Sequence, residues 1–160
     1  MRLPRFVYFL PALIAAAWLG WWLFGTPEEK QMLAAQAQFL SAVEDRDWKE
    51  VKSMLATTYT DAMGHTRDTA VENGEQVLSQ FISLTLQTRI LHSQARDSQG
   101  QTAVSIRMDG QGLGFGPAIM AHVNEMKEPW HFHWHKEGLW PWTWKILRIH
   151  HADLHPLEIP

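Results

Sequence analysis

Hydrophobic and polar positions change their period several times along this chain. Residues 6–25 carry no charge at all, a run of 20. As a helix that run rises about 30 Å, the thickness of a bilayer's hydrocarbon core. Past it, Met32, Leu33, Phe39, Leu40 and Val43 recur at helical spacing. A second, short helix is predicted to about Leu55, with Val51, Met54 and Leu55 on one side. Asn73 with Gln76 predicts a third, whose stripe is Val77, Leu78, Phe81, Ile82 and Thr85. From residue 88 the period falls to two. Residues 88–97, 102–108, 130–136 and 142–151 then read as four strands.

Local chemistry punctuates this pattern. Thr26-Pro27-Glu28-Glu29 and Asp47-Trp48-Lys49-Glu50 both have the form of a capped helix start with an acid three positions on. The cluster Glu44-Asp45-Arg46-Asp47 predicts the bend between the first two helices. Residues 59–67 are polar and irregular, a bend or a short strand. Ser98-Gln99-Gly100 predicts a hairpin turn, and Glu137-Gly138 another. Glycines 110, 112, 114 and 116 predict a flexible flap, and residues 118–126 fit a helix or a strand equally. Three helices followed by about four antiparallel strands predict an α+β fold, with helices on one face of a curved sheet.

Charge gives the apolar run a direction. Arg2 and Arg5 precede it, whereas Glu28, Glu29 and Lys30 follow. The cationic flank belongs in the cytoplasm, so the remainder is expected across the membrane. Tyr8 near one end and Trp18, Trp21 and Trp22 near the other match the two interfacial levels. A cleaved signal is the competing reading, with Ala15-Ala16-Ala17 as its site. Cleavage there would start the mature chain on Trp-Leu-Gly-Trp-Trp, and cleavable signals have shorter apolar cores of about 7–15 residues. The expected organisation is therefore an anchor over 1–25 and a domain over 26–160. It is single-pass in the inner, cytoplasmic membrane, with the domain on the periplasmic, extracytoplasmic side.

Composition narrows the partners. The chain has no cysteine, which excludes disulfides, thiolate metal sites and a cysteine nucleophile. Two of its 14 basic residues precede the apolar run, leaving 12 against 17 acidic ones. A net-acidic domain of this size is not built for nucleic acid.

The segment Phe39-Leu40-Ser41-Ala42-Val43-Glu44-Asp45-Arg46-Asp47-Trp48 resembles the opening helix and turn of the nuclear transport factor 2-like superfamily, which includes ketosteroid isomerase, polyketide cyclases and scytalone dehydratase. Residues 130–138, then Trp144-Lys145-Ile146-Leu147-Arg148-Ile149-His150, resemble that family's last hairpin. The resemblance spans residues 38–154. It implies a conical half-barrel, three helices packed on a bent antiparallel sheet, with an apolar pocket at the open end. It also implies dimerisation through the outer sheet face in many members, proton transfer in the pocket in some, and binding without chemistry in others. The glycine segment and its continuation to residue 126 are longer than the family's usual hairpin turn.

Three constellations are candidates for chemistry. His131, His133 and His135 alternate with Phe132 and Trp134, so their rings share one face of a strand about 7 Å apart. A metal would need a third ligand, for which His150, His151 and His155 are the donors, and no carboxylate stands at a fixed spacing. A metal-free site and no cofactor are expected. Acid–base chemistry would draw on Tyr59 as donor, the only tyrosine past the apolar run, with Asp61 or His133 as base. His65 and Asp109 are further possible bases. Trp140, Trp142 and Trp144 alternate, with Trp130 and Trp134 on the preceding strand. Trp134, Trp140 and Trp144 are the candidate ligand wall, against the plainer reading of buried core. The glycine run lacks the lysine and hydroxyl of a phosphate loop. The resulting expectation is a membrane-anchored binding or assembly module with an apolar pocket. Its partners would be a small apolar ligand and, through the sheet, a second copy or a membrane protein. The alternative is an isomerase, dehydratase or cyclase-like enzyme acting on a small apolar substrate.

Overall fold

The computed structural model describes residues 25–153, together with 13–15, 18 and 20. Most of the charge-free run, and His155, lie outside the described residues. Leu13, Ile14 and Trp18 belong to helix and are well exposed. Among the described residues no helix is long and apolar enough to cross a membrane.

The chain continues as α1 (Glu28–Glu44), α2 (Trp48–Met54), α3 (Arg67–Leu78), β1 (Phe81–Arg96), β2 (Gln99–Gly112), α4 (Gly116–Glu125), β3 (Trp130–Lys136) and β4 (Trp144–His150). The strands form one antiparallel sheet in the order β1-β2-β3-β4. This is the expected α+β arrangement with one helix more than expected.

Local chemistry explains most boundaries. α1 starts without a side-chain cap because Pro27, rather than Thr26, is its N-cap and has neither a side-chain acceptor nor an N–H; Glu29 accepts a hydrogen bond from Ser93 on β1 instead. Asp47 does cap α2, its Oδ1 accepting from Glu50 N at 3.0 Å. The Glu50 carboxylate turns away to Gln38 at 2.7 Å. α3 begins before the expected site, because Thr66 and Thr69 form a reciprocal capping box. Phe81, Ile82 and Thr85 leave the predicted helical stripe and open β1. Aromatic and β-branched residues suit a pleated surface, and side chains from the α1–α2 bend hold that strand. Arg46 Nη2 donates to Phe81 O at 2.5 Å, and Leu86 N donates to Glu44 Oε2 at 2.8 Å.

The β1–β2 turn is Asp97-Ser98, one residue earlier than predicted. Both residues are left-handed (φ 53° and 62°), as a two-residue hairpin requires. Gly100 lies inside β2, where a Cβ would meet Met32 Sδ at 2.2 Å. The glycine segment is no free flap: Gly110 and Gly112 lie in β2, and Gly116 opens α4. Residues 118–126 resolve as that helix. β3 pairs with β2 only over Gln99–Val104. α4 crosses beside the remaining length of β2, where Asn124 accepts from Met108 N (2.8 Å) and donates to Met108 O (2.9 Å).

The main core lies between α1, α2 and the inner faces of β2, β3 and β4. Met32, Val104, Phe132, Trp134, Trp144 and Ile146 are its most buried members. A second cluster of Leu78, Phe81 and Met108 packs against Ile119, Met120 and Val123 of α4.

Candidate functional site

Between these clusters the helices and sheet enclose a cavity of about 430 Å³. Phe39, Leu40 and Val43 of α1, Leu84 and Leu86 of β1, Ile106 and Met108 of β2 and Ile119 and Val123 of α4 line it. The polar side chains among its lining residues are few: Tyr59, Asp61, His65, Asn73 and His151.

Three of these come from one loop, residues 55–66. Leu55 bridges to Ile146, Ala56 N donates to Ile146 O (2.9 Å) and Thr60 N to Leu147 O (3.1 Å), so the loop is stitched to the edge of β4. That stitching buries Tyr59. Burial, and then the nearby Asp61 carboxylate, push its hydroxyl pKa well above the ordinary value. Tyr59 therefore remains a protonated donor at any physiological pH.

Asp61 organises the rest of the loop. Its Oδ1 accepts from Met63 N and His65 N, each at 2.9 Å, and its Oδ2 lies 2.7 Å from His65 Nδ1. An ionised carboxylate only accepts, so Nδ1 carries the proton and Nε2 is the nitrogen left for another molecule. The Asp61 oxygens thus shape the loop and orient the imidazole, which sets His65 beside the expected base.

The structure brings Tyr59, Asp61 and His65 to one cavity and leaves His133 out of it. In β3 the buried alternates are Phe132 and Trp134, so His131, His133 and His135 face away from the helices. Asp109 is likewise exposed on β2. Trp134 and Trp144 are buried core residues rather than a ligand wall. Trp134 Nε1 donates to Thr102 Oγ1 (3.3 Å), which in turn donates to Gln36 Oε1 (2.6 Å). Trp140 lies in the β3–β4 loop, outside the cavity lining. The predicted alternation with Trp142 fails there because β4 starts only at Trp144.

Two features of the cavity escaped the sequence reading. One is α4, whose Ile119, Met120 and Val123 have helical spacing but sit in a glycine-flanked segment too short to settle its period. The other is His151. Its Nδ1 accepts from Asp153 N (3.1 Å), so Nε2 is the donor to Glu128 O (2.9 Å), and the ring packs on Trp130 at 4.8 Å. Both nitrogens are spent, which makes His151 a wall residue rather than a base or ligand. Among the described residues no group of three or more His, Asp or Glu side chains is disposed to hold a metal ion.

The outer sheet face has its own chemistry. Register aligns His92, Ala103, His131 and His150 in one row, and Gln94, Gln101, His133 and Arg148 in the next. Arg89 and Arg107 extend the face along the β1–β2 ribbon. Burial, followed by Arg148, His131 and His150, holds the His133 pKa below the usual histidine value. The folded chain then takes up this proton at lower pH than the unfolded chain. Stability is complete above the ordinary histidine pKa and falls as pH drops below it. His133→Gln is expected to flatten the decline of the urea midpoint between pH 7.5 and 5.5. Identical pH slopes for variant and parent would refute this.

No family model matches the sequence, and no curated protein matches it. Solved structures do resemble the fold. A nuclear transport factor 2-like protein from Cytophaga hutchinsonii superposes with a TM-score of 0.58 at 13% identity, covering 78% of this chain and 97% of its own. A nuclear transport factor 2-like protein of unknown function from Pseudomonas putida gives 0.57 at 13% identity, covering 81% and 89%. A domain of unknown function with a cystatin-like fold from Nostoc punctiforme gives 0.57 at 13% identity, covering 83% and 82%. The fold is thus nuclear transport factor 2-like, and at these identities the likeness speaks for fold alone.

Proposed function

We propose that this chain is a membrane-tethered, extracytoplasmic module whose cavity binds a small, mainly apolar molecule carrying one polar group. The cavity carries this reading. Its size suits a small ligand, its walls are apolar, and its loop-borne polar groups, Tyr59, Asp61 and His65, are close in sequence. The tether is supported by the charge-free run behind Arg2 and Arg5. The outer sheet face is the surface proposed for association, with a second copy or with a membrane protein. Its arginines, Arg89, Arg107 and Arg148, favour a partner with an acidic face, since two copies of the same cationic face would repel.

Val77 lines the cavity and is 39% exposed, which places it at the mouth. Val77→Trp is expected to weaken saturable binding of a solvatochromic naphthalene dye at least about tenfold, equivalent to about 1.4 kcal/mol, with the melting temperature unchanged. Dye binding that does not saturate, or that ignores the variant, would contradict the reading. Protease added to intact spheroplasts should digest the domain; protection until lysis would reverse the orientation.

A second reading, acid–base catalysis on a small apolar substrate, is favoured by the 2.7 Å Asp61–His65 contact beside protonated Tyr59. In it His65 Nε2 moves the proton, Asp61 holds the imidazole's tautomer, and Tyr59 hydrogen-bonds a developing oxyanion. His65→Gln separates the two readings, because it would abolish turnover while leaving dye binding intact.

A further inference from the structure

We propose that the β3–β4 loop, residues 137–143, is a second membrane contact that seats the tethered end of the domain on the bilayer. The inference rests on the reading of residues 6–25 as an anchor. The loop presents Leu139, Trp140 and Trp142 at 82%, 46% and 63% exposure, and the two indoles stack at 5.1 Å and 13°. This display is held in shape. The single Thr143 hydroxyl proton lies between Trp140 O (2.8 Å from Oγ1) and Gly138 O (3.1 Å), and Glu137 N donates to Thr143 O (3.0 Å).

Position supplies the occupant. Thr26 and Lys30 share a groove with Pro141 and Trp142, so the chain leaves the charge-free run beside this loop. The β1–β2 turn lies at the same end, because Ser98 N donates to Glu28 Oε2 (3.3 Å) and Lys136 N to Ser98 O (2.9 Å). α1 starts three residues after Gly25, and three residues reach at most about 10 Å. A bilayer holding residues 6–25 therefore comes within about 10 Å of the start of α1, beside the exposed indoles. Indole rings partition to the interfacial zone, where their apolar body and N–H are both accommodated. The charges nearby are mixed, with Lys30, Arg96 and Lys136 against Glu28, Asp97 and Glu137. The contact is accordingly with the interface of a zwitterionic bilayer rather than with anionic headgroups.

The chain has no cysteine, so a single one can be labelled. Full-length Leu139→Cys carrying nitrobenzoxadiazole would be reconstituted in phosphatidylcholine vesicles and floated on a density gradient. The comparison is Phe115→Cys, 78% exposed just beyond the far end of the 14-residue β2. The expected result is blue-shifted emission and at least about twofold quenching by brominated phosphatidylcholine at 139, with neither at 115. Chain that floats with an unquenched label at 139 overturns the loop contact and leaves the anchor standing. Chain that fails to float overturns both. Equal quenching at 139 and 115 overturns the loop contact in favour of nonspecific adsorption. A shift at 139 without lipid quenching, growing with protein-to-lipid ratio, assigns the loop to a second copy and also overturns it.

Discussion

Trp134→Ala is expected to cost about 3–5 kcal/mol of folding free energy. The whole stability of a domain this size is about 5–15 kcal/mol, so the variant should approach global unfolding at 37 °C. Trp134 is fully buried at the centre of the sheet, between the helices and its strand partners. Truncation removes one of the two indoles buried in the core and leaves a cavity in its place. It also deprives Thr102 of an incoming hydrogen bond in a chain that ends on the buried Gln36, whose Nε2 has no protein partner. Urea denaturation followed by far-ultraviolet dichroism measures the loss as a fall in midpoint at constant slope. Trp142→Ala, in the exposed loop, should stay within about 0.5 kcal/mol of the parent. Equal losses at the two sites would disprove this division of the tryptophans into core and surface.

Gly110→Ala should act through the backbone. Gly110 has φ +150°, and a Cβ there would lie 2.1 Å from Ser83 O and 2.8 Å from its carbonyl carbon. Those atoms belong to the paired strand, at the irregularity between Phe81 and Ser83, and cannot rotate aside as a side chain would. The conformation alone costs about 1–3 kcal/mol for a residue with a Cβ, and relieving the clash must open the ribbon. The expected outcome is a lowered melting temperature together with faster hydrogen exchange at the Phe81–Gly112 end of β1 and β2 and in α4. Exchange at the Arg96–Gln99 end should change less. An unaltered melting temperature would show that the ribbon yields freely.

Several elements were legible because one signal dominated each. Asp47 with Glu50 marked α2, and the alternation of Phe132 and Trp134 with three histidines marked β3. The same alternation already implied that the histidines point away from an apolar pocket, so placing His133 in the site conflicted with its own strand. The start of β1 was hidden because Val77, Leu78, Phe81, Ile82 and Thr85 also satisfy a helical period. What separates the two readings is the pairing of Phe81–Thr85 with Asp109–Gly112 of β2, far along the chain, together with Arg46 and Glu44 reaching over from α1 and its C-terminal bend. Tyr59 and Asp61 share the cavity through a loop stitched to β4, and Asp61 uses its oxygens in shaping that loop. His65 stands four residues after Asp61, and the close contact between them follows from a turn that residue types alone do not specify.

The side chains of Glu44 and Asn124 occupy the two outer flanks of a single rung. Leu86 and Met108 are register partners. Glu44 takes the outward N–H of Leu86, while Asn124 takes both outward backbone groups of Met108. On each side a carboxylate or an amide thus occupies the position where an incoming strand would begin to pair. At that rung the ribbon beyond β3 is blocked to templated growth along the sheet, which guards it there against fibre-like polymerisation.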